Sequence, residues 1–421
     1  MNKFTNGNVV VIDDEIKEAK PLIECLARNG IPVTYFTGRK GKLPKKILSN
    51  IRLIFADIVL ETAGQSSRTK IAKVINVLTK ILGVNPLGPY LIIAWTKHPE
   101  EVTELNNKIN EVFSNNLPIA PVVAIEKSAC QNDDDSYSIR KIEMQLKRVL
   151  SSFNAFHLFV IWESLVSKSS AEIVNDFASF YNRDANWNQN ICNLFYSLAK
   201  ANAGNQLNET NINEISRNAL LTFNGAFKDV LENKIKEFKY NKEVGPFDNT
   251  PNSNAAINSK INSKLLLTDF YGNCLPQPGN VYDATSEHKL EIIDCYAGDL
   301  SKSPKKDELL GQVKYIILEI SPPCDYAQNK WAAHRILCGL LWPEAYKNKI
   351  ENAPYIYKSD PSFKIGDNIY KMVFNLRSLK SLPLGKLKNR KLIFRMRNEL
   401  LAEIQSHIAK HINRPGIISI R

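Results

Sequence analysis

The stretch VVVIDDE, Val9 to Glu15, closes a run of four apolar, β-branched residues with two adjacent aspartates. Valine and isoleucine are stiff at Cβ and suit a pleated strand, and four in succession without polar alternation suit a strand covered on both faces. Two carboxylates cannot stay unpaired inside such a strand, so Asp13 and Asp14 belong where it emerges at an edge of its sheet. Side by side they repel, and a hard cation such as Mg²⁺ relieves that repulsion through oxygen ligands.

Working outward, four more strand-like runs follow: IPVTYF (31–36), IRLIFADIV (51–59), YLIIAWT (90–96) and APVVAIEK (120–127). Helical patterns lie between them at 15–29, 67–82 and 99–113, with a short Lys-rich piece at 43–48. Five apolar strands alternating with helices predict a parallel α/β sheet with both faces covered. Such sheets collect ligands at the carboxyl ends of their strands. The first strand ends in Asp13 and Asp14, the third in Asp57, the fourth in Thr96 and the fifth in Lys127. Three carboxylates can hold Mg²⁺, a carboxylate can attack phosphorus, and a lysine and a hydroxyl can contact phosphoryl oxygens. The plainer reading, surface carboxylates on a nucleotide-binding-like sheet, leaves the joint filling of these positions without a reason.

VVVIDDE, LIFADIVL, IIAWT and VVAIEK resemble the motifs of response-regulator receiver domains over about a third of the chain. The resemblance implies a flavodoxin-like five-stranded sheet, Asp13 and Asp14 as the acidic pair and Asp57 as phosphoacceptor. It also implies Thr96 as the switch hydroxyl and Lys127 as the family's lysine, with Mg²⁺ held by Asp13, Asp14 and Asp57. Ser128 stands where the family has a proline, the segment between Asp57 and Thr96 is longer than in compact receivers, and Val123 and Ala124 replace the switch aromatic. The implied partner is a histidine-kinase-like or GHKL ATPase protein. The C-terminal half resembles uncharacterised domains joined to such modules in bacterial antiphage defence and other conflict systems.

Beyond residue 146 the periodicity turns helical to about 241, as in FNAFHLFVIWESLVSKSSAEIVNDFASF, with Gly204 as a helix stop. Asn-, Ser- and Pro-rich 242–264 reads as a linker. From 265 to 421 the runs LLLTDFYG, NVYDA, HKLEIIDCYA and QVKYIILEIS read as short strands, and LKNRKLIFRMRNELLAEIQSHIAKHINRPG as a closing helix. The expected whole is a multidomain α/β protein: receiver-like sheet (1–145), helical connector (146–241), linker, and a C-terminal α+β output domain with a small β-rich core.

In ISPPCDYAQNKWAAHR, Ile320 to Arg335, two prolines stop a strand and present Cys324 and Asp325 together. Cys324 with His334 as base would suit a nucleophile; Cys324, His334 and Cys338 with Cys274 or Cys295 would be a zinc set without the usual ligand spacing; a structural or binding loop is the third reading. Lys388, Arg390, Lys391, Arg395, Arg397 and Arg414 surround an apolar stripe, which suits a packed helix with a solvated face or a nucleic-acid contact.

A net charge of +12 permits acidic partners, though the lysines are spread along the chain. Seven cysteines without a CxxC pair suit reduced thiols, and no apolar run reaches bilayer length, so a cytoplasmic protein without a membrane partner is expected. A homodimer is compatible with all of this. The functional expectation is Mg²⁺-dependent phosphoryl acceptance on Asp57 controlling the C-terminal domain, with no turnover of an outside substrate. The alternatives are a phosphorylation-independent scaffold that binds the ATPase partner and a nucleic-acid-binding effector.

Overall fold

A computed structural model describes residues 8–61, 64–114, 116–204, 207–239, 254–268, 276–284, 296, 306–322, 325 and 332–413. By compactness the chain forms two units, Met1–Ile191 with Phe223–Phe247, and Cys192–Thr222 with Asp248–Arg421.

The first unit contains β1 (Asn8–Ile12), α1 (Ile16–Arg28), β2 (Val33–Phe36), β3 (Ile51–Ala56), α2 (Ser67–Leu82), β4 (Leu91–Thr96), α3 (Val102–Val112), β5 (Val123–Glu126) and α4 (Ile139–Leu150). Its strands are all parallel in the order β2-β1-β3-β4-β5, the flavodoxin-like order. β3 and β4 are buried at every residue, which explains why their sequences carry no polar alternation. One face packs on α2 and α3 through Ile71, Val74, Leu78, Leu105 and Ile109. The other packs on α1 and α4 through Leu22, Leu26, Ile142 and Leu146. Because β1 lies between β2 and β3, the chain leaves it in one direction and returns on its other side, opening a crevice at the carboxyl ends of β1 and β3.

The Lys-rich piece at 43–48 is not a helix. Pro44 removes a donor and Gly41 takes φ +86°, while Leu43 and Leu48 pack on the α2 face as an irregular connection. The predicted helical region beyond 150 forms α5 (Asn154–Ser179), α6 (Trp187–Ala203) and α7 (Ile212–Glu237), with Gly204 at φ +57° directly after α6. Within the first unit α5 packs Phe156 and Val160 on the sheet core, and Glu163 meets Arg52 at the start of β3. Arg52 is buried and also donates to the carbonyls of Ile51, Leu87 and Pro89.

The second unit holds an antiparallel sheet in the order β10-β12-β9-β8-β7-β13-β6. These are β6 (Leu267–Thr268), β7 (Asn280–Asp283), β8 (Lys314–Glu319), β9 (Ala333–Pro343), β10 (Ile356–Lys358), β12 (Asn368–Pro383) and β13 (Leu392–Met396), with β11 (Phe363–Ile365) paired to β12. The last helix (Asn398–Ile412) packs Leu400, Leu401, Ile404 and Ile408 on one face of it. The multidomain α/β layout with a helical middle and a strand-rich C-terminal α+β part is therefore present.

Its details correct the sequence reading in three places. Ala255–Leu266 is a helix, α8, not linker: Asn254 caps it by accepting from the amides of Ala256 and Ile257. LLLTDFYG yields only the two-residue β6, because α8 runs to Leu266, and 269–275 lie outside the described residues. LIFRM is strand β13, not the start of the closing helix; it pairs with β7 and β6 and buries Phe394 and Met396 at alternate positions. The basic residues thus do not share one helix: Lys388, Arg390 and Lys391 precede β13, Arg395 lies in it, Arg397 caps the helix, and Arg414 lies outside the described residues. Of HKLEIIDCYA only Tyr296 is described. No single helix among the described residues is long and apolar enough to cross a membrane.

Candidate functional site

Parallel pairing brings the predicted strand-end residues together. Asp13 follows β1 and Asp57 follows β3, and the backbone joins them where the Asp57 amide donates to the Ile12 carbonyl at 2.8 Å. Thr96 ends β4, and the Lys127 amide donates to its carbonyl at 2.9 Å. Asp13, Thr96 and Lys127 are fully buried and Asp57 nearly so, while Asp14 is half-buried at the rim. Asp13, Asp14 and Asp57 each offer a carboxylate oxygen within 4.8 Å of the others. Such a set of hard oxygen donors fits a divalent cation of the Mg²⁺ type.

The Lys127 ammonium organises the floor. It donates to Asp13 Oδ2 at 2.8 Å, to Asp57 Oδ2 at 2.7 Å and to Glu18 Oε2 at 2.7 Å. Asp13 Oδ1 accepts from the Glu15 amide at 2.9 Å, and Asp57 Oδ1 accepts from the Val59 amide at 3.3 Å. Asp14 Oδ2 accepts from the Glu61 amide at 3.0 Å, and the residue lines the crevice. Thr96 Oγ1 accepts from the His98 amide at 3.0 Å, so its own proton remains to be donated. A cavity of about 150 Å³ opens above, lined by Asp14, Glu18, Asp57, Glu61, Lys97 and His98 among others.

Burial and charge oppose one another here. Burial raises the Asp13 carboxyl to about 6, against the pull of Lys127 and with the push of the Asp57 charge. Asp57 is likewise raised above the usual carboxylate range, by burial first and against Lys127. Burial disfavours the Lys127 charge, but Asp57 and Asp13 outweigh it and hold the ammonium above its ordinary value. Burial also acts to raise Glu18, yet the hydrogen bonds from Lys127 and Lys97 outweigh it and the group lies below its ordinary value. Burial thus makes the ionised aspartates costlier than in water, and a divalent cation would favour their ionised forms.

Glu18 is the residue that sequence reasoning missed. It sits in the first turn of α1 among polar residues, with no pattern to distinguish it, and only the packing of α1 on β1 and against α4 brings it to Lys127. A second carboxylate and histidine group, His98, Glu100 and Glu101, follows β4 and offers ligand atoms equally close together, though Glu101 is already paired with Lys70 at 2.7 Å.

In the second unit Cys324 lies outside the described residues, as do Cys274 and Cys295. Asp325 is described, its amide donating to the Pro322 carbonyl at 3.1 Å. His334 is buried near the start of β9, with Nδ1 3.9 Å from Glu319 Oε1. Cys338 stands four residues further along the same strand, about 13 Å away at strand rise, too far to share a zinc ion with His334. Glu319, unmarked in the sequence reading, is fully buried; Ser321 donates to its Oε1 through both hydroxyl and amide. Burial raises its carboxyl to about 7. The signal for it was a glutamate inside the apolar run YIILEIS.

No protein-family model matches the chain, and a search of curated proteins finds no match.

Proposed function

We propose that the N-terminal unit is a receiver-like phosphoacceptor whose acceptor is Asp57. The observation that carries this is the convergence on one crevice of Asp57, its lysine partner Lys127 at 2.7 Å and the buried hydroxyl of Thr96, from three different strands. A carboxylate oxygen of Asp57 attacks the phosphorus of a phosphodonor; the new bond is an acyl phosphate, and the donor's P–O or P–N bond breaks with its electron pair. Lys127 meets the charge on one phosphoryl oxygen and Thr96 donates to another. Asp13, Asp14 and Asp57 would hold Mg²⁺, whose contribution when bound is to neutralise charge on the transferring group. Burial of the crevice strengthens each of these interactions relative to water.

The upstream partner in this reading is a histidine-kinase-like or GHKL ATPase protein in the bacterial cytoplasm, and the output is the C-terminal unit. A setting in antiphage defence rests on the resemblance of the sequence alone. One observation favours a second reading, a docking module that works without phosphate: the ion-pair network around Lys127 is complete as it stands.

Intact mass of the full chain after incubation with Mg²⁺ and acetyl phosphate tests the first reading. Wild type should gain one phosphoryl group and Asp57→Asn none. Absence of any gain, with Mg²⁺ binding shown by titration, would leave the docking module.

A further inference from the structure

An alkylammonium has three protons to donate and no more. Lys127 spends all three on carboxylates, at 2.8 Å to Asp13, 2.7 Å to Glu18 and 2.7 Å to Asp57. A phosphoryl oxygen arriving on Asp57 therefore meets a lysine with no donor left, and one carboxylate has to yield.

The three differ in what they lose. Asp13 is fully buried, and its other oxygen is fixed by the Glu15 amide. Asp57 carries the phosphoryl group and stays in place. Glu18 alone among them has a second cation: Lys97 donates to its other oxygen, Oε1. Its side chain is also the most exposed of the three, 16% against 0% for Asp13 and 10% for Asp57. Releasing Glu18 from Lys127 thus leaves it neither unpaired nor wholly desolvated, whereas releasing Asp13 would strand a buried charge.

We infer that Glu18 is a positioning residue that competes with the phosphoryl group for Lys127, and that Lys97 takes Glu18 over when the phosphoryl group arrives. The inference rests on the phosphoacceptor reading and adds to it a route out of the site. Lys97 follows Thr96 directly and begins the connection from β4 to α3, so a stronger hold on Glu18 pulls on that connection. The Trp95 indole donates to the Glu18 carbonyl at 3.3 Å, which fixes the backbone of α1 here and leaves the side chain as the part that moves. This gives the protein a charged relay next to Thr96, where Val123 and Ala124 offer no aromatic switch.

The test is a time course of phosphoryl gain by intact mass on the full chain with Mg²⁺ and acetyl phosphate, for wild type, Glu18→Gln, Lys97→Met and Asp57→Asn. Melting curves of each check the fold. Glu18→Gln removes the competitor and should accept about ten-fold faster, the equivalent of one charged hydrogen bond. Lys97→Met removes the alternative partner, ties Glu18 to Lys127 alone and should slow acceptance; its half-exposed side chain makes this variant safe for folding. Opposite signs in the two variants are the signature, because loss of a merely structural clamp would slow both. Phosphoryl gain by Glu18→Gln when wild type gains none would support the inference in its strongest form. If wild type accepts phosphate but Glu18→Gln is unchanged or slower, or Lys97→Met is unchanged or faster, the inference falls and the phosphoacceptor reading stands. No gain by wild type or by either folded variant would overturn both.

Discussion

At the carboxyl edge of the parallel sheet, buried Lys127 gives each N–H to a carboxylate; Asp13 and Asp57 take further bonds from backbone amides, and Glu18 takes one from Lys97. In the antiparallel sheet Glu319 is as deeply buried, yet its Oε2 has no hydrogen-bond partner among the described residues, and His334 Nδ1 stands 3.9 Å from the other oxygen. Burial pushes His334 below its ordinary value, so it stays neutral where Glu319 would ionise. The difference teaches where charge can be kept inside a protein. Strand ends of a parallel sheet meet helix starts and loops whose amides and side chains converge, whereas Glu319 ends a strand flanked on both sides, and neighbouring groups there are spent on pairing, as where the Gly279 amide donates to its carbonyl at 2.8 Å.

The comparison breaks most severely by removing the central cation. Lys127→Met leaves Asp13, Glu18 and Asp57 facing one another without a counter-charge and should destabilise the first unit by about 4 kcal/mol. The sign with pH follows from the carboxylates. The raised folded pKa values of Asp13 and Asp57 rise further without Lys127, so the folded state holds protons that the unfolded chain releases, and stability falls as pH rises through the range from about 4 to the raised values. Chemical denaturation should accordingly show a larger loss at pH 8 than at pH 5, with added Mg²⁺ restoring part of it.

Cutting a peripheral pair should cost less. Glu163→Ala leaves the buried Arg52 guanidinium with carbonyl partners but no counter-charge, a loss on the order of 3 kcal/mol. Denaturation of the full chain checks this, and Glu163→Gln should recover part of the loss through its amide oxygen.

Glu319 sharpens the comparison with the opposite sign. Its carboxyl rises from an ordinary 4.5 to about 7 through burial, so its stabilising protonated form is complete below about 4.5 and is lost as pH rises to about 7. Glu319→Gln should keep the hydrogen bonds from Ser321, abolish this pH dependence and stabilise the second unit at pH 8 by about 2 kcal/mol. Denaturation profiles at pH 5 and pH 8 should converge in that variant.

These effects separate what was legible in the chain from what was not. Asp13, Asp57, Thr96 and Lys127 could be found because each ends an apolar run, and a parallel sheet gathers such ends without needing the register in detail. LIFRM was misread because five residues carry too little period to tell a strand from a helix; pairing with β7 decided it. Polar α8 was hidden among Asn and Ser residues until Asn254 capped it. Glu319 and His334 required the register of β8 on β9, which sets Glu319 opposite Ile336 and so two residues from His334 on one face.

By itself the sequence determined the five-stranded parallel sheet, its crevice and four of the five side chains that meet on the Lys127 floor and beside it, because hydrophobic runs and their polar ends are local facts. Only the tertiary structure decided that Glu18 completes the set, that Arg52 and Glu163 join strand to helix, and that Glu319 and His334 face each other. Each of those depends on bringing residues far apart in the chain to a few ångströms, and no local pattern encodes a distance.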